Sequence, residues 1–192
     1  MSDNNIIIIC GCPRTGKTTL TRQILNKDPS YRVISLDSLY YSLKDSFPVL
    51  KIENYRSINE LSQRLLPFVK NIIKEYSCDF QNLKIIIEGM EILPSAYKKD
   101  SVFSSSKIVC FGFPDANEDE LFLRIRNNDD MLQYDTYTMH MSDDELKKRV
   151  KFYIRFSNEL LKECENNSIP YWNLEYGRER ILECALRYLT ES

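Results

Sequence analysis

Gly11-Cys12-Pro13-Arg14-Thr15-Gly16-Lys17-Thr18 places two glycines, a lysine and a hydroxyl at the spacing G-x-x-x-x-G-K-[ST]. Glycine at 11 and 16 lets the backbone curl, so that successive N–H groups turn inward to where phosphate oxygens can sit. Lys17 can reach the outer phosphates of a nucleotide, and the Thr18 hydroxyl can ligate the Mg²⁺ that travels with them. Pro13, Arg14, Thr15 and Thr19 complete the stretch expected to contact the phosphates, and a helix opening near Lys17 adds the positive end of its dipole. Cys12 serves here either as a small residue offering its backbone N–H or as a redox-sensitive thiol beside the phosphates. The chemistry implied is the binding of a nucleoside triphosphate.

Such a loop works only if a buried strand delivers it and a helix receives it. The apolar run Ile6-Ile7-Ile8-Ile9-Cys10 supplies the strand, and Leu20, Ile24 and Leu25 share one face of a helix over about 17–26. Further strands are predicted at 31–36, 83–87 and 107–111, with a short one near 169–172. A helical region over 57–76 contains Pro67, which predicts a kink or two helices. Other helices are expected at 117–126, behind the capping box of Ser142 and Glu145, and at 177–190. Strands that are near-continuously apolar belong to a parallel sheet covered on both faces, so the chain reads as one α/β domain over 1–192.

In such a sheet, ligands gather at the carboxyl ends of the strands. Asp37 closes the second strand and could take a proton from an attacking hydroxyl, hydrogen-bond a substrate hydroxyl, or cap the next helix. Glu88-Gly89 closes the third, in the form of an acid that holds Mg²⁺ through water; the alternative is again a helix cap. Arg124 and Arg126 precede a polar, non-periodic stretch at about 127–145, with the length and polarity of a lid that closes arginines over transferring phosphate. They are otherwise solvated arginines near a helix end. Arg14 and Arg155 are weaker candidates, and His140, the only histidine, is expected on the surface. Tyrosines such as Tyr40, Tyr41, Tyr134 and Tyr137 could stack on a base or pack the core and surface.

Composition narrows the classes. A net charge of −2 with scattered Lys and Arg argues against nucleic acid as the partner. No apolar run approaches the ~20 residues of a membrane span, and the polar opening Met1–Asn5 lacks the pattern of a signal peptide, which points to the cytoplasm. The six cysteines form no C-x-x-C and are expected to be free thiols.

Taken in order, these parts resemble the small P-loop kinases, the superfamily of adenylate, shikimate and uridine kinases. Asp37-Ser38-Leu39-Tyr40 resembles an Asp-x-x-Tyr-like segment of uridine kinases, and Ile87-Glu88-Gly89 an Ile-Glu-Gly segment of the same enzymes. The resemblance implies a three-layer αβα fold, a parallel five-stranded sheet of order 2-3-1-4-5 with a helical lid, and ATP with Mg²⁺ as ligands. It further implies phosphoryl transfer to a small-molecule hydroxyl, with Lys17, Arg124 and Arg126 carrying charge and Asp37 facing the acceptor. Adenylate kinases follow their third strand with Asp-Gly-Phe-Pro-Arg, whose arginine grips the acceptor's phosphate. Here Glu88-Gly89-Met90-Glu91-Ile92 has no arginine and an added carboxylate, which counts against a nucleoside monophosphate and leaves a nucleoside, sugar or hydroxy acid. The alternative is a nucleotide-binding regulatory module without an acceptor cleft.

Overall fold

The computed structural model describes residues 5–79, 83–131 and 136–191. Five parallel strands form one sheet of order β2-β3-β1-β4-β5. They are β1 (Asn5–Gly11), β2 (Arg32–Ser35), β3 (Lys84–Gly89), β4 (Lys107–Gly112) and β5 (Tyr171–Asn173). Ile6 to Ile9 of β1 are at most 1% exposed, which requires cover on both faces of the strand. Fully burying each such side chain contributes about 1.5–3 kcal/mol, so this central strand anchors the core.

Seven helices supply the cover: α1 (Lys17–Lys27), α2 (Leu36–Ser46), α3 (Ile58–Asp79), α4 (Pro94–Lys98), α5 (Glu118–Met131), α6 (Asp143–Asn167) and α7 (Arg178–Thr190). Helices α1 and α7 pack on each other, while α6 lies on β4 with α4 and α5 against it. The fold class, the parallel sheet and its strand order are therefore those that the resemblance implies.

Three departures from the expected bounds have a clear physical cause or consequence. The second strand stops at Ser35, because the Ser35 hydroxyl accepts the Ser38 N–H and starts α2 at once. Asp37 consequently lies in the first helical turn and does not cap it. Helix α3 passes through Pro67 as a single element, with Leu61, Leu65, Val69 and Ile73 buried along one face. That continuous apolar face outweighs the roughly 3 kcal/mol an interior proline costs. Helix α5 runs on to Met131, past the predicted end at 126. Ser142 and Glu145 form both halves of the capping box on α6. Among the described residues, no helix is long and apolar enough to cross a membrane.

Candidate functional site

Strand β1 ends at Gly11 and α1 begins at Lys17, so the loop between them curls over the carboxyl end of the sheet. Gly16, the N-cap of α1, has φ 87°, and Arg14 also takes a positive φ of 69°. Such turns are what aim consecutive N–H groups into one concavity. Inside the loop, the buried Thr15 hydroxyl donates to the Cys12 carbonyl at 2.8 Å, and the Lys17 ammonium donates to the same oxygen at 2.9 Å. The Cys12 thiol is buried with its sulfur 3.5 Å from the Ser157 hydroxyl, and burial pushes its pKa up to about 11. A thiol held that far from ionisation is a poor redox sensor.

A cleft of about 600 Å³ opens over this loop, lined by Pro13, Arg14, Gly16, Lys17, Thr18, Thr19, Asp37, Glu88 and Gly89. Arg22, Asn128, Thr136, Tyr137 and Arg178, none of them singled out from the sequence as phosphate ligands, complete it. Four cationic side chains against two carboxylates, beside the positive end of α1, suit a polyanion. Arg178 opens α7 and lies over the loop: a β-carbon at Gly16 would stand 2.9 Å from its guanidinium. The sequence signal for it is slight, a Gly-Arg pair opening the last helix. Gly11 and Cys12 are buried beneath the loop and do not line this cleft.

Thr18 and Glu88 both face the cleft, offering hydroxyl and carboxylate oxygens of the hard kind Mg²⁺ takes. Glu88 caps no helix; its carboxylate accepts the Thr21 hydroxyl at 2.8 Å. Among the described residues no group of three or more His, Cys, Asp or Glu could hold a metal by itself. A cation here would therefore share its shell with phosphate and water.

A second cleft of about 640 Å³ adjoins the first, and Pro13, Asp37 and Tyr137 line both. Its other walls come from Tyr40, Tyr41, Tyr55, Ile58, Leu61, Met90, Glu91, Arg149, Phe152 and Tyr153. Glu91 is 7% exposed and takes the Met90 N–H at 2.8 Å. Burial, and then the neighbouring Asp37 carboxyl, push its pKa up to about 8. Gly89 makes this packing possible, since a β-carbon there would lie 2.5 Å from both a Glu91 carboxyl oxygen and the Leu36 β-carbon.

Arg124 and Arg126 line neither cleft. The Arg124 guanidinium bonds Glu175 at 2.6 Å and lies 5.1 Å from the Phe113 ring centroid. Arg126 donates to the Thr138 and Met141 carbonyls and pairs with Asp143 at 2.9 Å, fastening α5 to the start of α6. Of the stretch 127–145, the first residues belong to α5, 132–135 lie outside the described residues with Tyr134 among them, and 136–142 are mostly turns. Arg14 reaches this region instead, as an ion pair with the buried Asp129. Arg155 faces Glu159 at 4.0 Å on the exposed side of α6, and His140 is exposed.

No family model matches the chain, and no curated protein matches it by sequence. Solved structures do match it along nearly its whole length. A gluconokinase from Sinorhizobium meliloti 1021 superposes with TM-score 0.56 at 13% identity, over 98% of this chain and 93% of that one. A shikimate kinase from Bacteroides thetaiotaomicron gives 0.50 at 18% identity, over 97% of each chain. An uncharacterized protein from Eubacterium ventriosum ATCC 27560 gives 0.55 at 10% identity, over 98% of this chain and 99% of that one. The chain shares the fold of the small P-loop kinases.

Proposed function

We propose that this protein moves the γ-phosphoryl group of Mg²⁺–ATP to the hydroxyl of a small molecule. One observation carries the reading: Asp37 lines both the cleft at the phosphate-binding loop and the cleft beside it. A carboxylate between a nucleotide site and a second cavity is where an acceptor hydroxyl has to be held. Asp37 accepts the hydroxyl proton as the acceptor oxygen bonds to the γ-phosphorus. The β,γ-bridging bond breaks and its electron pair leaves with ADP. The loop residues that line the cleft, from Pro13 to Gly16, and the Lys17 ammonium hold the phosphates, and Arg22 and Arg178 add positive charge at the same cleft. Thr18, with Glu88 through water, would hold Mg²⁺, which when bound neutralises charge on the outer phosphates. The gluconokinase and the shikimate kinase of the same fold support the reaction class, since both are kinases by name. A pure nucleotide-binding module has no use for the second cleft.

The test is ADP formation from Mg²⁺–ATP against nucleosides, nucleoside monophosphates, hexoses and hydroxy acids. Acceptor-stimulated turnover is expected, falling about 10²-fold or more in Asp37→Asn while ATP affinity holds. Tight ATP binding without stimulation by any acceptor would overturn the transfer and leave a binding module.

A further inference from the structure

The second cleft has two aromatic walls. Tyr40, Tyr41 and Tyr55 stand on α2 and the segment after it, and Phe152 and Tyr153 stand on α6. Within each wall the rings pack edge-on: Tyr40 meets Tyr41 at 5.2 Å and 76°, and Tyr55 at 6.5 Å and 80°. Phe152 meets Tyr153 at 6.1 Å and 64°. Among the described residues no ring contact joins one wall to the other, and the volume between them is about 640 Å³. Aromatic carbon on both sides of a gap is what a flat ring fills best.

Charge sorts the occupants further. Among the described residues the lining holds two carboxyl groups, Asp37 and Glu91, and one cation, the exposed Arg149. A phosphate or carboxylate placed there meets the Asp37 carboxylate and has Arg149 alone to hold it. Glu91 adds something a lone aspartate lacks. Buried beside the Asp37 carboxyl, it is driven towards its protonated form, which can donate a hydrogen bond.

We infer that this cleft takes a neutral alcohol carrying a planar ring, a nucleoside by chemical class, with the ring between the two walls and a hydroxyl at the Asp37–Glu91 pair. The inference rests on the transfer reading above, whose acceptor it names. Glu91 is then a positioning residue: it orients the Asp37 carboxyl that meets the acceptor.

Calorimetric titration of uridine and adenosine into the protein without ATP tests occupancy, and ADP formation tests transfer. Both nucleosides are expected to bind, and gluconate and uridine monophosphate to bind at least tenfold more weakly. Tyr55→Ala, on the solvent side of its wall, should weaken nucleoside binding about three- to tenfold. Glu91→Gln keeps a donor beside Asp37 and should stay within about threefold of the parent kcat, while Glu91→Ala loses more than about tenfold. Tighter binding of gluconate or the monophosphate, or nucleoside binding untouched by Tyr55→Ala, overturns the inference. Nucleoside binding without ADP formation upholds the cleft's ligand and removes the transfer reading. Transfer to a hydroxy acid with no nucleoside binding does the reverse.

Discussion

Around the phosphate-binding loop the cleft is lined by Arg14, Lys17, Arg22 and Arg178, whereas its neighbour is lined by six aromatic rings and one arginine. The first is suited to charge and draws heavily on one short run, 13–19, where the chain leaves β1 and enters α1. The second is suited to shape, with walls drawn from α2, α3, the end of β3 and α6. Polyphosphate can be held by the N–H groups that every residue but proline carries, so a short local turn suffices. A neutral small molecule offers little charge to hold, so side chains from distant segments must enclose it.

Lys17→Ala should separate the two clefts most sharply. Turnover is expected to fall about 10²–10³-fold, with uridine affinity at the second cleft within about twofold of the parent. Equal losses at both would erase the distinction. Gly89→Ala attacks their junction by driving a methyl group towards Leu36 and Glu91 at φ 155°. A loss of about 2–3 kcal/mol in urea unfolding is expected, and an unchanged midpoint would mean that the junction is not close-packed.

The pH dependence of stability sharpens the contrast in a different way. The folded state holds the Glu91 proton to about pH 8, against an ordinary value of 4.5. The folded protein therefore binds this proton more tightly than the unfolded chain does. Its stabilising contribution is complete below about pH 4.5 and is lost as the pH rises through 8. Asp37 of α2 is the ionisable group that raises it, and Glu91 in turn helps to raise the buried Tyr97 of α4. Calorimetric Tm should decline between about pH 5 and 8.5, and Glu91→Gln should flatten that decline; an equal slope in both proteins would contradict the assignment. The smallest effect belongs to Arg124→Ala. Its pair with Glu175 is partly exposed on both sides, so less than about 1 kcal/mol and less than about threefold in kcat are expected. A loss near 10²-fold would return this arginine to the reaction.

The legibility of the two clefts in the sequence follows from the same difference. The loop, the strands and the capping box at Ser142 are local patterns, and each has a physical cause within a few neighbouring residues. Helix α2 is legible only through the capping alternative at Asp37, because Ser35 ends a strand and caps a helix in the same residue. The acid at 91 stands out as an extra carboxylate in the sequence, but its burial depends on Leu36 and Asp37 of α2 arriving across Gly89. Arg124 and Arg126 have the composition of lid arginines, yet Glu175 and Asp143 hold their guanidinium groups in ion pairs outside both clefts. Partners of that kind lie 51 and 17 residues away and leave no local trace.

Pro13, Asp37 and Tyr137 belong to both cavities at once. Tyr137 is also hydrogen-bonded to Tyr153 of α6, so a shift of its ring is felt on the aromatic side. Ligands bound side by side in these cavities would be thermodynamically linked through such residues. If the nucleotide changes the affinity for the acceptor by some factor, the acceptor changes the affinity for the nucleotide by the same factor. A dissociation constant measured for either ligand alone is thus one edge of a square, whose opposite edge differs by that common factor.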